Sequence, residues 1–161
     1  MIQPSLIHEG WIEKRDGDES CRTIFERHYS RRHYADGRKP KQFMGPGVKK
    51  PLLLADGRAL FAFRQHISDD GQTGVNVAIF RREAGAPLAS ELIKQAVTLA
   101  REKWWPTERF YTYIDPRKVK PTMFRGYPVF GWCFYRAGFH FVGVGKGGKH
   151  VLGLVGRGQE P

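Results

Sequence analysis

Long apolar runs are missing from this chain, and so are cysteines beyond Cys21 and Cys133. No stretch approaches the ~20 apolar residues that a membrane-spanning helix needs, and no basic-then-apolar leader opens the sequence. The expectation is a soluble, cytoplasmic protein with no membrane partner. Two distant cysteines without a Cys-x-x-Cys spacing argue against a disulfide framework and against structural zinc, and buried free thiols are the simpler account. His28 and His33 stand five apart, off the same-face spacing of a helical ligand pair, so no metal is expected. Acidic residues are scarce as well: 16 Asp and Glu against 27 Lys and Arg, a formal charge of +11. That imbalance suits a polyanionic partner such as nucleic acid, whose neutralised phosphates release counterions. A basic protein with no such partner is the alternative.

What is present is enough for a folded core. Apolar residues make up 40% of the chain and aromatics 13%, which belongs to a globular protein and not to a disordered tail. A length of 161 residues fits one domain over 1–161. The chain can be arranged around Gly74 to Ala100. Val75, Val77 and Ile79 alternate with Asn76, Ala78 and Phe80, the pattern of a half-buried strand. The loop Arg81-Arg82-Glu83-Ala84-Gly85-Ala86-Pro87 follows, and then a helix with Ser90 as its N-cap and Glu91 in its first turn. Leu92, Ile93, Ala96, Val97, Ala100 and Trp104 recur at helical spacing and mark the core face. An Arg- and Gly-rich loop at a helix N-terminus can offer backbone N–H groups to a phosphate.

Before this unit, the sequence predicts a strand over Leu6 to Lys14 anchored by Trp11. A helix over Cys21 to Tyr29 comes next, capped by Asp18 or Ser20, with Cys21, Ile24, Phe25 and His28 on one face. From residue 31 to 50 the periodicity fades. Arg31, Arg32, Arg38, Lys39, Lys41, Lys49 and Lys50 gather there among Gly and Pro, with Tyr34 and Phe43 between them. Such a loop is either a solvated connection or a surface that holds a nucleic-acid backbone and an unstacked base. Asp56-Gly57 marks a hairpin between Leu52–Ala55 and Arg58–Arg64, and the turn at Ser68 to Gln72 leads back to Val75, implying three consecutive antiparallel strands.

After the helix, a strand over Arg109 to Ile114 points Tyr111 and Tyr113 one way and Phe110, Thr112 and Ile114 the other. Asp115-Pro116 ends it, and Arg117, Lys118, Lys120 and Arg125 make the next loop basic. A second amphipathic helix is expected with Pro128 in its first turn and Gly138 past its end. The strands Phe139–Val144 and His150–Val155 close the chain as a hairpin around Gly145–Lys149, where Lys146 and Lys149 are candidate phosphate contacts. The predicted fold is α/β, a mixed and largely antiparallel sheet flanked by helices.

This element order resembles the GNAT (GCN5-related N-acetyltransferase) fold over nearly the whole chain. In that family a Gln/Arg-x-x-Gly-x-Gly/Ala loop before the central helix holds the pyrophosphate of acyl-CoA. Arg82 and Gly85 match the pattern, and Pro87, which has no N–H, departs from it. The resemblance implies acetyl-CoA or another acyl-CoA as cofactor, with Arg81, Arg82, Gly85 and Ser90 at its site. Four segments resemble, more narrowly, the Mom-like phage proteins that modify adenine in DNA and protect it from restriction: Arg27-His28-Tyr29-Ser30-Arg31-Arg32, Ser90-Glu91-Leu92, Tyr113-Ile114-Asp115-Pro116 and Cys133-Phe134-Tyr135-Arg136-Ala137-Gly138-Phe139. That resemblance implies DNA as partner, His28, Tyr29 and Asp115 as site residues, and a site tyrosine falling at Phe134 or Tyr135. Arg31, Arg32, Arg38, Lys39, Lys41, Arg117, Lys118 and Lys120 would then contact the nucleic acid.

Each of these residues also has a plainer reading. His28 suits a helix end, Asp115 a turn, Ser90 a cap, and Tyr29 simple packing. At the level of function, the alternatives are an acyl-CoA-dependent N-acetyltransferase acting on a small amine, protein or RNA, and a non-catalytic basic nucleic-acid-binding module.

Overall fold

A computed structural model describes residues 10–28, 35–37, 42–68 and 70–156. Along the chain the elements are β1 (Trp11–Glu13), α1 (Glu19–Phe25), β2 (Val48–Leu54), β3 (Ala59–Gln65), β4 (Val75–Arg82), α2 (Ala89–Lys103), β5 (Phe110–Ile114), β6 (Thr122–Phe124), β7 (Tyr127–Val129), α3 (Trp132–Arg136), β8 (His140–Val144) and β9 (His150–Leu154). Strands β6 and β7 form a small hairpin of their own. The other seven make one sheet in the order β1-β2-β3-β4-β5-β9-β8. It is a mixed, largely antiparallel sheet, as the alternation predicts.

Its single parallel pair is β4 with β5, joined by the α2 crossover that parallel neighbours require. Only Val75, Asn76 and Val77 pair there, with Phe110, Tyr111 and Thr112, while β4 runs on to Arg82 beside β3. A register shift marks the point where the parallel ladder stops: Ala62 faces Ile79 but Phe63 faces Val77, so Ala78 is the extra residue of a bulge. Gly74 makes the close start of this pairing feasible. Its φ is +105°, and a Cβ there would sit 2.3 Å from the Arg109 carbonyl oxygen.

The two faces of the sheet carry separate cores. Leu52, Leu54, Phe61, Phe63, Val75 and Val77 meet Leu92, Ile93, Ala96 and Ala100 of α2 and Phe134 of α3. The indole N–H of the fully buried Trp11 donates to the Leu92 carbonyl at 3.1 Å and ties β1 to α2. On the other face Leu53, Leu60, Ala62 and Ile79 meet Cys21 and Ile24 of α1, with Met44 beside them. Period-two strands and period-3.6 helices explain most of this division, and the bulge at Ala78 accounts for Ile79 joining the α1 face while Val75 and Val77 face α2.

Several local expectations change. α1 ends at Phe25, and His28 lies beyond it in a turn whose backbone N–H donates to the Phe25 carbonyl. Asp18 does cap it, accepting from the Cys21 N–H at 3.1 Å. Ser90 is not the N-cap of α2: the helix starts two residues after Pro87, Leu88 occupies the cap, and Ser90 is buried. The extended ψ of 133° at Leu88 sets that boundary. Pro128 lies in β7 and not in a helix, because Gly126 at φ +83° turns the chain into a hairpin that pairs Thr122 with Val129. Of the predicted first strand, Leu6 to Glu9 lie outside the described residues.

Candidate functional site

Beyond Val77, where β4 loses its pairing to β5, a cavity of about 780 Å³ opens on the α1 face. Asn76 to Ile79 of β4 and Tyr113 of β5 form its back, and Arg64, His66, Ser68 and Asp70 line it from the β3 side. Phe25, Phe43 to Pro46, and Lys146, Gly147 and Lys149 complete the rim. The rim is held in place by hydrogen bonds. The Phe43 and Met44 N–H groups donate to Asp16 Oδ1 at 2.8 and 3.1 Å, and Lys49 bridges to Asp16 Oδ2 at 3.3 Å. Phe43 stacks on Phe25 with ring centroids 5.2 Å apart.

At the opposite wall the Tyr113 hydroxyl and the Ser68 hydroxyl each donate to Asp70 Oδ1 at 2.6 Å. These bonds hold Asp70 below its ordinary range, so it stays ionised. Burial, and then the bond to Asp70, push the Tyr113 phenol up to about 12 and keep it a donor. The tip between β8 and β9 packs here as well, since a Cβ on Gly145 would meet Asp70 Oδ2 at 2.7 Å.

Two groups facing this cavity stand out chemically. Arg64 and Asn76 are direct cross-strand partners on β3 and β4. Arg64 Nε and Asn76 Oδ1 are both buried without a hydrogen-bond partner, and Asn76 is only 7% exposed. Buried polar atoms of folded proteins are nearly always paired, with protein, water or ligand. Among the described lining residues, Arg64, Lys146 and Lys149 carry positive charge against the carboxylate of Asp70. Sequence reasoning singled out Lys146 and Lys149 and passed over Arg64 and Asn76. The available signal was a cationic and an amide residue in the interiors of two strands otherwise patterned for burial.

Of the residues expected to be catalytic, His28, Asp115 and Tyr135 are described, and none of them lines the cavity. His28 is 9% exposed, and burial followed by the nearby Arg81 guanidinium lowers its pKa from 6.5 to about 4, while a hydrogen bond to the Phe80 backbone acts the other way. It is neutral at pH 7. Asp115, 2% exposed, accepts from the Arg117 backbone N–H at 3.0 Å and from its guanidinium at 3.1 and 3.2 Å. Those bonds hold its carboxyl below the usual range and make the turn expected of Asp-Pro. Arg117 reaches on to the Gly147 carbonyl at 3.3 Å, linking Asp115 to the cavity rim.

Tyr135 packs against the α2-side core instead, half-buried and with its phenol pKa raised by burial. Phe134 beside it is fully in that core. Lys118 and Lys120 are exposed near Arg117. Tyr29, Arg31, Arg32, Arg38, Lys39 and Lys41 lie outside the described residues.

The loop between β4 and α2 fits the pyrophosphate of acyl-CoA poorly. Arg82 donates to the carbonyls of Pro87 and Ala86 at 2.6 and 2.7 Å, and Arg58 to that of Gly85 at 2.5 Å. Arg81 donates to the Arg27 carbonyl and to Glu83. Arg81 and Arg82 are thus engaged by protein carbonyls and by Glu83, Ser90 is buried, and Pro87 contributes no N–H. Among the described residues no cluster of three or more side chains suited to a metal ion occurs, and no helix is long and apolar enough to cross a membrane.

Fold and cavity together define a mixed α/β protein with a basic, ligand-sized site at a break in its sheet. Comparison with protein-family models, with curated proteins and with solved structures finds no match to the chain.

Proposed function

We propose that this chain is a DNA-modifying transferase that adds a small group to the exocyclic amine of a nucleobase, adenine N6 first among them. The resemblance to Mom-like proteins suggests the biological setting, a phage protein that shields DNA from restriction. The observation that carries the reading is the cavity: about 780 Å³, with Lys146 and Lys149 on its rim, the Phe25–Phe43 ring pair at one side and the Asn76 amide oxygen, buried without a partner, at its back. That volume lies in the range of small-molecule sites. A base inside a duplex is out of reach, so an enzyme acting on it flips the nucleotide into such a pocket. Lys146 and Lys149 on the rim are then candidate phosphate contacts, and Arg117, Lys118 and Lys120, with Arg31, Arg32, Arg38, Lys39 and Lys41, remain candidates from the sequence.

Transfer to the amine would form its new bond as the group's bond to its donor breaks, the leaving group keeping that electron pair, and the amine would lose a proton in the exchange. His28 is neutral at pH 7 and is the candidate acceptor, with Asp115 fixing the rim through Arg117. Tyr29 and Tyr135 are the remaining candidates from the same resemblance. Acyl-CoA is the donor the resemblance implies, and because Arg81 and Arg82 are engaged by protein carbonyls and Glu83, no step is assigned through it.

Mass spectrometry of nucleosides from DNA of cells making the protein tests this reading. A new adenine nucleoside is expected with the wild-type chain, and its loss is expected with Ala78→Trp, which fills the cavity. Absence of any new nucleoside in the wild-type sample contradicts the reading, and salt-sensitive DNA binding alone would mark a non-catalytic binding module.

A further inference from the structure

We infer that Asn76 is the specificity-determining residue of the cavity and recognises the amine of the bound base. The inference rests on the function proposed above and goes further by naming the group that reads the substrate. Asn76 occupies the position of β4 just before the parallel ladder to β5 ends, and its side chain lines the cavity. Its Oδ1 is buried without a partner, so the protein itself leaves that acceptor's desolvation uncompensated. A ligand N–H donor removes this cost. The neighbouring Nδ2 supplies a donor beside it, and an acceptor next to a donor is the complement of an amine next to a ring nitrogen, the edge by which asparagine pairs with adenine. Arg64, across the strands from Asn76, puts a positive charge at the same wall, which disfavours a cationic amine and favours an anionic nucleotide. A site built around a buried acceptor rejects an analogue lacking the donor far more strongly than a purely apolar pocket would.

The test uses the full chain with two probes that differ by one group: 2′-deoxyadenosine 5′-monophosphate and the monophosphate of purine 2′-deoxyriboside, which lacks the amine. Isothermal titration is expected to show the adenine nucleotide binding at least tenfold tighter to the wild type, and both nucleotides binding alike to Asn76→Ala. Asn76→Leu keeps the volume, removes the orphan acceptor, and is expected to abolish the discrimination while its melting temperature holds or rises. A purely structural Asn76 would instead lower the melting temperature and leave the affinity ratio intact. Equal affinity of the wild type for the two nucleotides, or a preserved ratio in both variants, overturns the inference. Nucleoside mass spectrometry on the wild type separates the two claims. Preserved discrimination in the variants with a modified nucleoside present sinks only the role of Asn76, whereas lost discrimination in the variants with no modified nucleoside sinks only the transferase reading.

Discussion

On the α2 side of the sheet Phe63 lies 4.9 Å from Phe61, 5.5 Å from Phe110 and 5.8 Å from Trp105, ring centre to ring centre. On the α1 side the same two central strands present Ala62, Arg64, Asn76 and Ala78, and between them and Phe25 lies the cavity. The chain is the same, the strands are the same, and the alternation of side chains sends large rings one way and small or polar groups the other. The first face gains dispersion and apolar burial. The second gives up packing at the place where β4 loses β5, and leaves two buried polar atoms unpaired. Unpaired polar atoms at a break in a sheet are a cost that a ligand can offset, and a filled aromatic layer behind them keeps the break from collapsing.

The largest way to sharpen this comparison is to cut the aromatic layer. Phe63→Ala removes a fully buried ring and is expected to cost about 3–5 kcal/mol in urea unfolding. Phe25→Ala, on the half-buried rim of the cavity, is expected to cost clearly less. Equal losses would mean that the two faces are packed alike.

The next effect is in pH. His28 titrates near 4 when folded and near 6.5 when unfolded, so between these values the unfolded chain binds the extra proton. Stability is therefore full above about pH 6.5 and falls as pH drops towards 4, by about 3 kcal/mol in all. Unfolding measured across that window in the wild type and in His28→Gln checks this, the variant being flat where the wild type slopes. A smaller effect is the cap on α1: Asp18→Ala is expected to cost about 1 kcal/mol and to loosen the α1 face without touching the aromatic one. The smallest is Arg64→Met. Because Arg64 Nε has no hydrogen-bond partner, replacing it by an apolar chain is expected to change thermal stability by less than about 1 kcal/mol while weakening nucleotide binding.

The Asp56-Gly57 turn, the helical stripe from Leu92 to Ala100 and the start of the alternation at Val75 to Val77 were enough to read the sheet and its central crossover, but the bulge at Ala78 turns Ile79 to the face opposite Val75 and Val77, against the period-two expectation. The β6–β7 hairpin escaped that reading. Pro128 is favoured at a helix start and allowed at a strand edge, and only the pairing of Met123 with Pro128 decides between them. The site was harder still. His28 and Asp115 are chemically capable residues; Arg117, two positions from Asp115, is legible as its partner, whereas Arg81, which lowers the pKa of His28, is tied to it by no spacing rule. Arg64 and Asn76 sit on consecutive strands and meet through a register that the bulge at Ala78 shifts, which no local period discloses. A cavity made by a bulge and a lost strand pairing leaves no periodic trace.

The most direct measurement is amide hydrogen exchange with and without a single-stranded oligonucleotide containing adenine, since it reads both faces and the β4–α2 loop at once. The cavity account predicts added protection at 43–46, 76–79 and 145–149, with the amides of α2 unchanged. Protection confined to the loop and helix start at 83–91, or none on any segment, would contradict it.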